Sequence, residues 1–384
     1  MLKCSRINKK AAKPPGRTAN MYDRPKFKDP SVKIIEQKPM MSKNIITVPQ
    51  PDFPISIKEN FKRAYTRNNP VWVPNSLVEF NDMMPPDLTN DRIDADWSVN
   101  FREEFKDWFD VEWVFVPEAG GPIVKPGTHF LEDVTQWEKV VKFPDLNKYD
   151  FRARAKENME GFYADKMDRI FHIDVGLGAS ERLVALMGGY SEAMLAMAEE
   201  PEAVRDFYFA HTEFEMKFVD LLCELYPVDM LTYHDDWGNE RNTFFSEAMM
   251  EEIVFDPTKK LCDHMKSKDV AMMLHSCGKI ERFLPYMVDL GFDFIQIQSR
   301  CNDFKMIKEK YGDKLGLNTG VGLDFTKPID HDGLIAAIRD MLDKYAPGGG
   351  LYTMMAGVPE ELLWDGIMEI FYYSRELYEK EQGK

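Results

Sequence analysis

The stretch DVAMMLHSCGKIERFLPYMVDLGFDFIQIQS (269–299) contains a complete strand–helix–strand unit. The apolar run 269–276 predicts a buried strand, residues 279–290 a helix, and residues 292–299 a second strand. Similar runs predict further strands at 70–75, 109–116, 169–176, 228–235, 314–321 and 350–357. Strand–helix units that reach eight strands and end on a long helix favour an α/β fold of the closed (β/α)8 TIM barrel type over an open doubly wound sheet.

The first 50 residues differ from the rest of the chain. Basic residues precede the first acid, and Pro14, Pro15 and Pro25 interrupt every short helical pattern. We therefore expect an extended basic N-terminal arm over residues 1–50 and a barrel domain over residues 51–384. Two interpretations stay open, a loosely ordered or subunit-embracing arm and a basic docking arm.

Composition limits the class of partner. The formal net charge of −16 argues against a nucleic-acid binder, which needs a basic face, and favours small molecules and proteins. Five widely spaced cysteines are not typical of a disulfide framework, and no apolar run has the length of a membrane span. These features predict a cytoplasmic protein without membrane contact.

The strongest candidate for chemistry is the pair His275 and Cys277 at the end of a predicted strand. Residues i and i+2 of an extended chain point to the same side, so both side chains can approach one ion. Cys301 ends the next predicted strand and is a candidate third ligand. Imidazole and thiolate ligands indicate zinc, with an open position if the ion is catalytic. The alternative is a hydrogen-bonded histidine and an inert buried cysteine.

A second candidate is the segment YHDDWGN (233–239), where His234, Asp235 and Asp236 are adjacent. Alternation predicts that one of the two aspartates faces the barrel axis. That carboxylate would serve as a general acid or orient a metal-bound histidine, the alternative being a helix cap. Glu118, which follows a predicted strand, and Asp174, which lies near the end of the predicted strand 169–176, are candidate pocket carboxylates or ordinary loop residues.

Other residues at the predicted strand ends are candidates for substrate binding. Because the active site of a barrel lies at the C-terminal ends of its strands, we expect a pocket that contains Asn75, Trp237, Asn318, Met354 and Met355. Aromatic residues near this face, among them Trp72, Trp113 and Phe130, suit an aromatic substrate or are simply core. Cys223, Cys262, His211 and His264 fall within helical patterns and are excluded.

Several phrases together resemble the uroporphyrinogen decarboxylase superfamily. They are NFKRAYTRNNPVWVP (60–74), YHDDWG (233–238), HSCGKI (275–280), GFDFIQIQ (291–298) and EKYGDKLGLNTGVG (309–322). The resemblance covers roughly residues 55–380 and implies a single barrel. The decarboxylases carry an arginine-rich stretch after the first strand to hold an acidic tetrapyrrole, whereas NSLVEFNDMM (75–84) has no arginine.

The corrinoid-dependent methyltransferase branch fits better. Its zinc-binding His-x-Cys pair matches His275 and Cys277, but the distant cysteine on the last strand is absent from LYTMMAGVP (351–359). Either no metal binds, or Cys301, Glu118 or an acid of the HDD group (234–236) completes the site. The resemblance therefore implies methyl transfer from a small methylated substrate, we expect an aryl methyl ether, to a corrinoid on a separate protein. Zinc, or a carboxyl such as Asp235 or Asp236, would stabilise the leaving oxygen.

Other functions remain to be weighed. They are a tetrapyrrole decarboxylase, a methylcorrinoid:thiol methyltransferase and a subunit without turnover of its own. A homodimer is compatible with each of them.

Overall fold

The computed structural model describes residues 21–37, 45–83, 104–116, 121–323, 328–355 and 358–383. Twelve strands follow one another along these residues: β1 Lys33–Gln37, β2 Ile46–Gln50, β3 Phe80–Met83, β4 Phe105–Lys106, β5 Glu112–Val116, β6 Gly121–Val124, β7 Ile170–Leu177, β8 Met230–His234, β9 Ala271–Ser276, β10 Phe294–Ile297, β11 Gly316–Gly320 and β12 Leu351–Met354.

Seven of these strands form one curled parallel sheet, in the order β12-β11-β10-β9-β8-β7-β3. A further parallel bridge joins Asn75 to Thr353 on the edge strand β12, and the Thr353 amide donates to the Pro74 carbonyl at 2.8 Å. The chain just before β3 thus meets the opposite edge of the sheet. With helices between the strands, this arrangement confirms the predicted α/β fold of the TIM-barrel type.

Two of the predicted strands are not strands of the seven-stranded sheet. Residues 70–75 contribute only the bridge at Asn75, and residues 109–116 form β5 in a separate three-stranded antiparallel sheet, β4-β5-β6. The strand that pairs with β7 is β3, which the sequence reading missed. Periodicity identifies a strand but not its partner, and β5 pairs with the two short strands nearest to it in the chain.

The helices follow the predicted positions closely from residue 190 onward. They are α1 Ile57–Thr66, α2 Ser76–Glu79, α3 Trp137–Val140, α4 Phe151–Glu160, α5 Ala179–Met187, α6 Tyr190–Glu199, α7 Pro201–Leu225, α8 Glu247–Met249, α9 Phe255–Lys266, α10 Leu284–Leu290, α11 Phe304–Tyr311, α12 His331–Tyr345 and α13 Glu360–Glu381. A π-helical segment, Met250–Val254, joins α8 to α9. None of the described helices is long and apolar enough to cross a membrane.

An apolar plug fills the N-terminal end of the barrel. It contains two residues of α1 and inward-facing residues of the strands: Ile57, Phe61, Phe80, Ile170, Met230, Ala271, Met273, Phe294 and Tyr352. Two residues further along several strands, the same inward face carries polar side chains, because side chains alternate along a strand. The plug thus gives the polar groups above it a dry, packed base.

The described part of the N-terminal arm packs against α13. The guanidinium of Arg24 pairs with Glu369 at 2.9 Å and with Glu376 at 2.6 Å, both from α13. The Trp364 indole donates to the Pro25 carbonyl at 3.3 Å, and β1 pairs with β2 as an antiparallel ribbon. Residues 21–37 are therefore anchored to the last helix. The boundary at residue 50 and the docking role stay predictions.

Candidate metal centre at the strand ends

Two histidines and an aspartate meet where β8 and β9 end. His234 and His275 lie opposite each other in the parallel register, with ring centroids 4.1 Å apart. Asp236 follows His234 by two residues and so returns to the same side. One ligand atom from each of His234, Asp236 and His275 lies within 4.8 Å of the other two. This group is the arrangement in the described residues that could hold a metal ion.

Hydrogen bonds fix the orientation of both imidazoles. The Nδ1 atom of His234 lies 3.2 Å from the Asp174 carboxylate, and that of His275 lies 2.6 Å from Gln296 Oε1. The Gln296 amide in turn donates to Asn318 Oδ1 at 2.7 Å. Partners on Nδ1 leave each Nε2 lone pair available, which is how proteins orient metal-binding histidines.

Burial and charge separate the two histidines. Burial opposes protonation of His234, but Glu181 and Asp174 outweigh it and raise the pKa of His234 to about 10. Burial and the neighbouring His234 charge lower the pKa of His275 to about 4. The carboxylates around His234 thus favour a positive charge at its ring, which is a proton in the absence of metal and a metal ion when one replaces that proton.

Cys277 and Cys301 lie beside this group rather than in it. The Cys277 Sγ atom is 3.9 Å from His275 Nε2, and the Cys277 amide donates to Asp236 Oδ1 at 2.5 Å. Burial, followed by the Asp236 charge, raises the pKa of the Cys277 thiol. The Cys301 thiol contacts the carbonyl of Gln298 at 3.5 Å. The structure thus brings His275 and Cys277 together but does not bring Cys301 to them.

The two adjacent aspartates have different surroundings. Asp235 is fully buried and accepts hydrogen bonds from the Trp237 indole at 2.7 Å, the Glu181 amide at 2.9 Å and the Tyr233 hydroxyl at 3.2 Å. Burial raises the pKa of Asp235 to about 6. Asp235 therefore caps the start of α5, whereas Asp236 points to the histidines.

Glu181 is a carboxylate that the sequence reading missed. It lies in the first turn of α5, with Oε2 3.7 Å from His234 Nε2. That oxygen is buried and has no hydrogen-bond partner. Burial and the Asp236 charge raise the pKa of Glu181 well above its usual range. Its position in the sequence could have identified it as a site residue, because in GLGASERL (176–183) Glu181 lies in the first turn of a helix that directly follows a barrel strand.

The remaining predicted residues have mixed positions. Asn318 is buried and reaches His275 through Gln296, and Met354, at 37% exposure, lies at the end of β12. Met355 and Trp237 are buried in the core. Asn75 caps α2 at the barrel seam, where its side chain accepts from the Leu77 amide at 3.1 Å. Glu118 lies outside the described residues.

The aromatic candidates belong mostly to the core. Trp72 and Trp113 are buried, and Phe130 packs against the main core from a partly buried position. Two aromatic residues that were not predicted, Tyr190 and Phe244, stack with ring centroids 4.3 Å apart. Tyr190 is 41% exposed. The ring edge is exposed but the hydroxyl is not, and burial of the hydroxyl, followed by the nearby charges of Glu181 and Asp236, raises the pKa of Tyr190.

Comparison with known proteins identifies the family. The family model for uroporphyrinogen decarboxylase (URO-D) matches residues 111–322, more than half of the chain. The chain belongs to the URO-D family. This confirms the superfamily that the sequence phrases resemble, and the matched region contains β8, β9 and the whole metal-ligand group. No curated protein matches the sequence.

Solved structures give the fold of this URO-D family member. A methyltransferase from Methanosarcina mazei superposes with a TM-score of 0.60 at 14% identity, covering 84% of this chain and 99% of the other. A D-psicose 3-epimerase from Clostridium cellulolyticum H10 superposes with a TM-score of 0.36 at 12% identity, over 61% of this chain and 86% of the other. The first similarity supports a shared fold, and the second is too low to carry an argument.

Proposed function

We propose that this protein is a corrinoid-dependent methyltransferase. It takes a methyl group from a small methylated substrate, an aryl methyl ether, and delivers it to a corrinoid bound by a separate protein. The observation that carries the proposal is the group of two imidazoles with available Nε2 atoms and one carboxylate, at the strand ends of a URO-D barrel. The methyltransferase activity named for the Methanosarcina mazei structure supports the same reaction class.

The donor set suits a metal such as zinc. Two nitrogen atoms and a carboxylate oxygen are ligands that zinc accepts, and a three-residue set leaves a position for substrate. The Glu181 Oε2 atom is buried without a hydrogen-bond partner and lies 3.7 Å from His234 Nε2, so it would stabilise a cation bound at that nitrogen. When bound here, the metal supplies a Lewis acid for the oxygen that leaves the methyl group.

The chain's own residues create the setting for this transfer. The methyl carbon leaves the ether oxygen for cobalt(I), so the electron pair of the broken C–O bond stays on oxygen and needs stabilisation. Asp174 and Gln296 hold the two imidazoles in place by their Nδ1 atoms. The apolar plug beneath them limits access of water from the other end of the barrel, which strengthens electrostatic effects at the site.

The charge around the site bears on the alternative, decarboxylation of a tetrapyrrole. Asp174, Glu181 and Asp236 face the histidines, and no lysine or arginine within the described ranges forms an ion pair with any of them. A substrate with many carboxylates would meet like charges there. An uncharged ether avoids this cost, which favours methyl transfer.

Aromatic and thioether surfaces at the mouth suit a ring-containing donor. Met354 and Tyr190 are among the large apolar side chains that remain exposed. The stacked pair Tyr190 and Phe244 offers an aromatic face near the carboxylates. We propose that the corrinoid partner docks at this C-terminal face of the barrel. We also propose that the reaction takes place in the cytoplasm, a reducing compartment that suits the free thiols of Cys223, Cys262, Cys277 and Cys301.

Methyl transfer can be tested directly. Purified protein is mixed anaerobically with 2-methoxyphenol and cob(I)alamin, and formation of methylcob(III)alamin is followed by absorption. We expect transfer by the wild type and a loss of about 10³-fold in His275→Ala, because several kcal/mol of leaving-group stabilisation disappears. His331→Ala, which changes a half-exposed histidine on α12, is the matched control. Full activity in His275→Ala, or carbon dioxide release from uroporphyrinogen by the wild type, would contradict the proposal.

A further inference from the structure

The structure assigns a metal site whose protein ligands are His234 Nε2, His275 Nε2 and the Asp236 carboxylate, with the Cys277 sulfur outside the coordination sphere. This differs from the ligand set that the family resemblance implies, a His-x-Cys pair with a second cysteine. The inference rests on the proposed function only in taking the site to hold a metal ion.

The two nitrogen atoms and the carboxylate oxygen lie close enough together to share one ion. Ligand atoms about 2.0–2.1 Å from a tetrahedral ion lie about 3.4 Å from one another. The His275 Nε2 and Asp236 Oδ1 atoms are 3.9 Å apart, and all three ligand atoms lie within 4.8 Å of each other. Small side-chain rotations would therefore close the set around an ion. The Cys277 Sγ atom is also 3.9 Å from His275 Nε2, but it is not among the three atoms that lie within 4.8 Å of one another, a group that includes His234.

The backbone after β9 fixes Asp236 beside His275. The Cys277 amide donates to Asp236 Oδ1 at 2.5 Å, so the chain at residue 277 lies against the aspartate. Gly278 follows with φ of 91°, and a Cβ added there would lie 2.2 Å from the Gly238 carbonyl carbon. The turn after β9 is therefore fixed against the turn after β8. This packing holds the Asp236 carboxylate beside His275 Nε2.

Charge gives an independent reason for an ion at this place. Asp236 and Glu181 are buried or partly buried carboxylates that approach the histidines, with side-chain exposures of 17% and 15%. The Glu181 Oε2 atom, 3.7 Å from His234 Nε2, has no hydrogen-bond partner. Buried carboxylates normally have a cationic or hydrogen-bonding partner. A divalent cation bound between the two imidazoles would supply such a partner to both Asp236 and Glu181.

The donor set sharpens the substrate class. Two imidazoles and one carboxylate leave open positions and donate less charge than thiolates, so the ion is a harder and more electrophilic one. Such an ion suits an oxygen atom that gains charge, as in the cleavage of an ether. It does not suit the activation of a thiol acceptor, where thiolate ligands keep a bound substrate thiolate nucleophilic. The site therefore selects oxygen-bound methyl groups.

Cobalt substitution distinguishes the two ligand sets. The metal is removed with a chelator, the protein is reloaded with Co²⁺, and metal content and electronic absorption are measured. A thiolate ligand produces an intense sulfur-to-cobalt charge-transfer band in the near ultraviolet. We expect no such band in the wild type, and an unchanged spectrum and one bound ion in Cys277→Ser. His234→Gln and Asp236→Asn should weaken binding by 100-fold or more.

Cys301→Ser is the matched cysteine control and His331→Gln the matched histidine control, and circular dichroism checks that each variant is folded. A charge-transfer band in the wild type that disappears in Cys277→Ser would overturn the assignment. Full metal binding in His234→Gln, or no metal binding by the wild type, would overturn it as well. The measurement needs neither methyl donor nor corrinoid. A protein with His234-dependent metal binding but no methyl transfer would thus retain this inference and reject the proposed function.

Discussion

Among the described residues of the barrel, His172 and His234 each contact an aspartate through Nδ1 but differ in the contacts of Nε2. In the pair nearer the apolar plug, here called the lower pair, His172 contacts the Asp82 carboxylate through Nδ1 and the Thr232 hydroxyl through Nε2, both at 2.7 Å. In the pair at the C-terminal ends of the strands, here called the upper pair, His234 contacts Asp174 through Nδ1. The nearest carboxylate to its Nε2 atom is that of Glu181, at 3.7 Å, which is beyond hydrogen-bond distance. The lower imidazole has both nitrogens satisfied, and the upper one has a nitrogen to offer.

This difference separates a structural histidine from a functional one. His172 links β3, β7 and β8 through its two contacts, which stabilises the β3 edge of the sheet. His234 belongs to the next inward position, where the available nitrogen meets those of His275 and Asp236. Residue type and partner are alike in the two pairs, so the second ring nitrogen decides the role.

The largest expected effect is on stability, from the lower pair. His172→Ala removes two buried hydrogen bonds and leaves Asp82 without its partner, so we expect a loss of about 3 kcal/mol in the free energy of unfolding. Metal content of the folded protein should stay at the wild-type level. Chemical denaturation and metal analysis measure both, with His331→Ala as control. A loss of metal with unchanged stability would reverse the roles assigned to the two histidines.

A smaller effect is expected from the carboxylate of the upper pair. In Asp174→Asn, an amide N–H₂ faces His234 Nδ1 and favours the tautomer with its proton on Nε2, so the lone pair for the metal is lost. We expect metal affinity to fall 10- to 100-fold, as is typical for residues that orient metal ligands. Asp82→Asn, the equivalent change in the lower pair, should leave metal affinity unchanged. Equal losses in both variants would remove the distinction between the pairs.

The last prediction concerns a buried carboxylate with no metal-ligand role, and its effect accumulates over several pH units. Glu79 accepts from the Trp72 indole at 3.0 Å and from the Asn75 amide at 2.8 Å, and burial raises its pKa from 4.5 to about 8. Between these values the unfolded chain releases the proton and the folded chain keeps it. Stability should therefore fall as pH rises across this window, by up to about 1.4 kcal/mol per pH unit.

Glu79→Gln should flatten that part of the pH profile, because glutamine does not titrate. Urea unfolding at a series of pH values between 5 and 8 provides the measurement, and Glu199→Gln, at an exposed position, serves as control. An unchanged slope in Glu79→Gln would show that the buried carboxyl is ionised in the folded protein as readily as in the unfolded chain.

The sequence predicted the C-terminal half of the fold more accurately than the N-terminal half. The strands from residue 169 onward and the helices between them have strong apolar periodicity, and the structure confirms them. β3 was missed because FNDM (80–83) is short and half polar. Residues 109–116 read as a barrel strand because an aromatic-rich run looks alike in either sheet, and only pairing distinguishes them.

The candidate site shows the same limit. Its elements were visible, since HDD and HSC each end a strand and metal ligands cluster at such ends. The sequence did not show which of these side chains point to the same place in the folded protein. Cys301 followed the next strand along the chain, yet its thiol contacts Gln298, while Glu181 entered from the helix after β7. The direction of a side chain at a turn depends on the backbone φ and ψ angles, which the spacing of residues in the sequence does not specify.

The sequence alone determined the barrel class, the family and the strand ends at which chemistry is expected, because these follow from local periodicity and from residues close together in the chain. Only the tertiary structure decided which nitrogen, oxygen and sulfur atoms meet. His172 and His234 are alike in sequence terms. They differ because Asp82 and Thr232 on neighbouring strands occupy both nitrogens of the first, whereas the strand ends leave Nε2 of the second available beside His275 and Asp236.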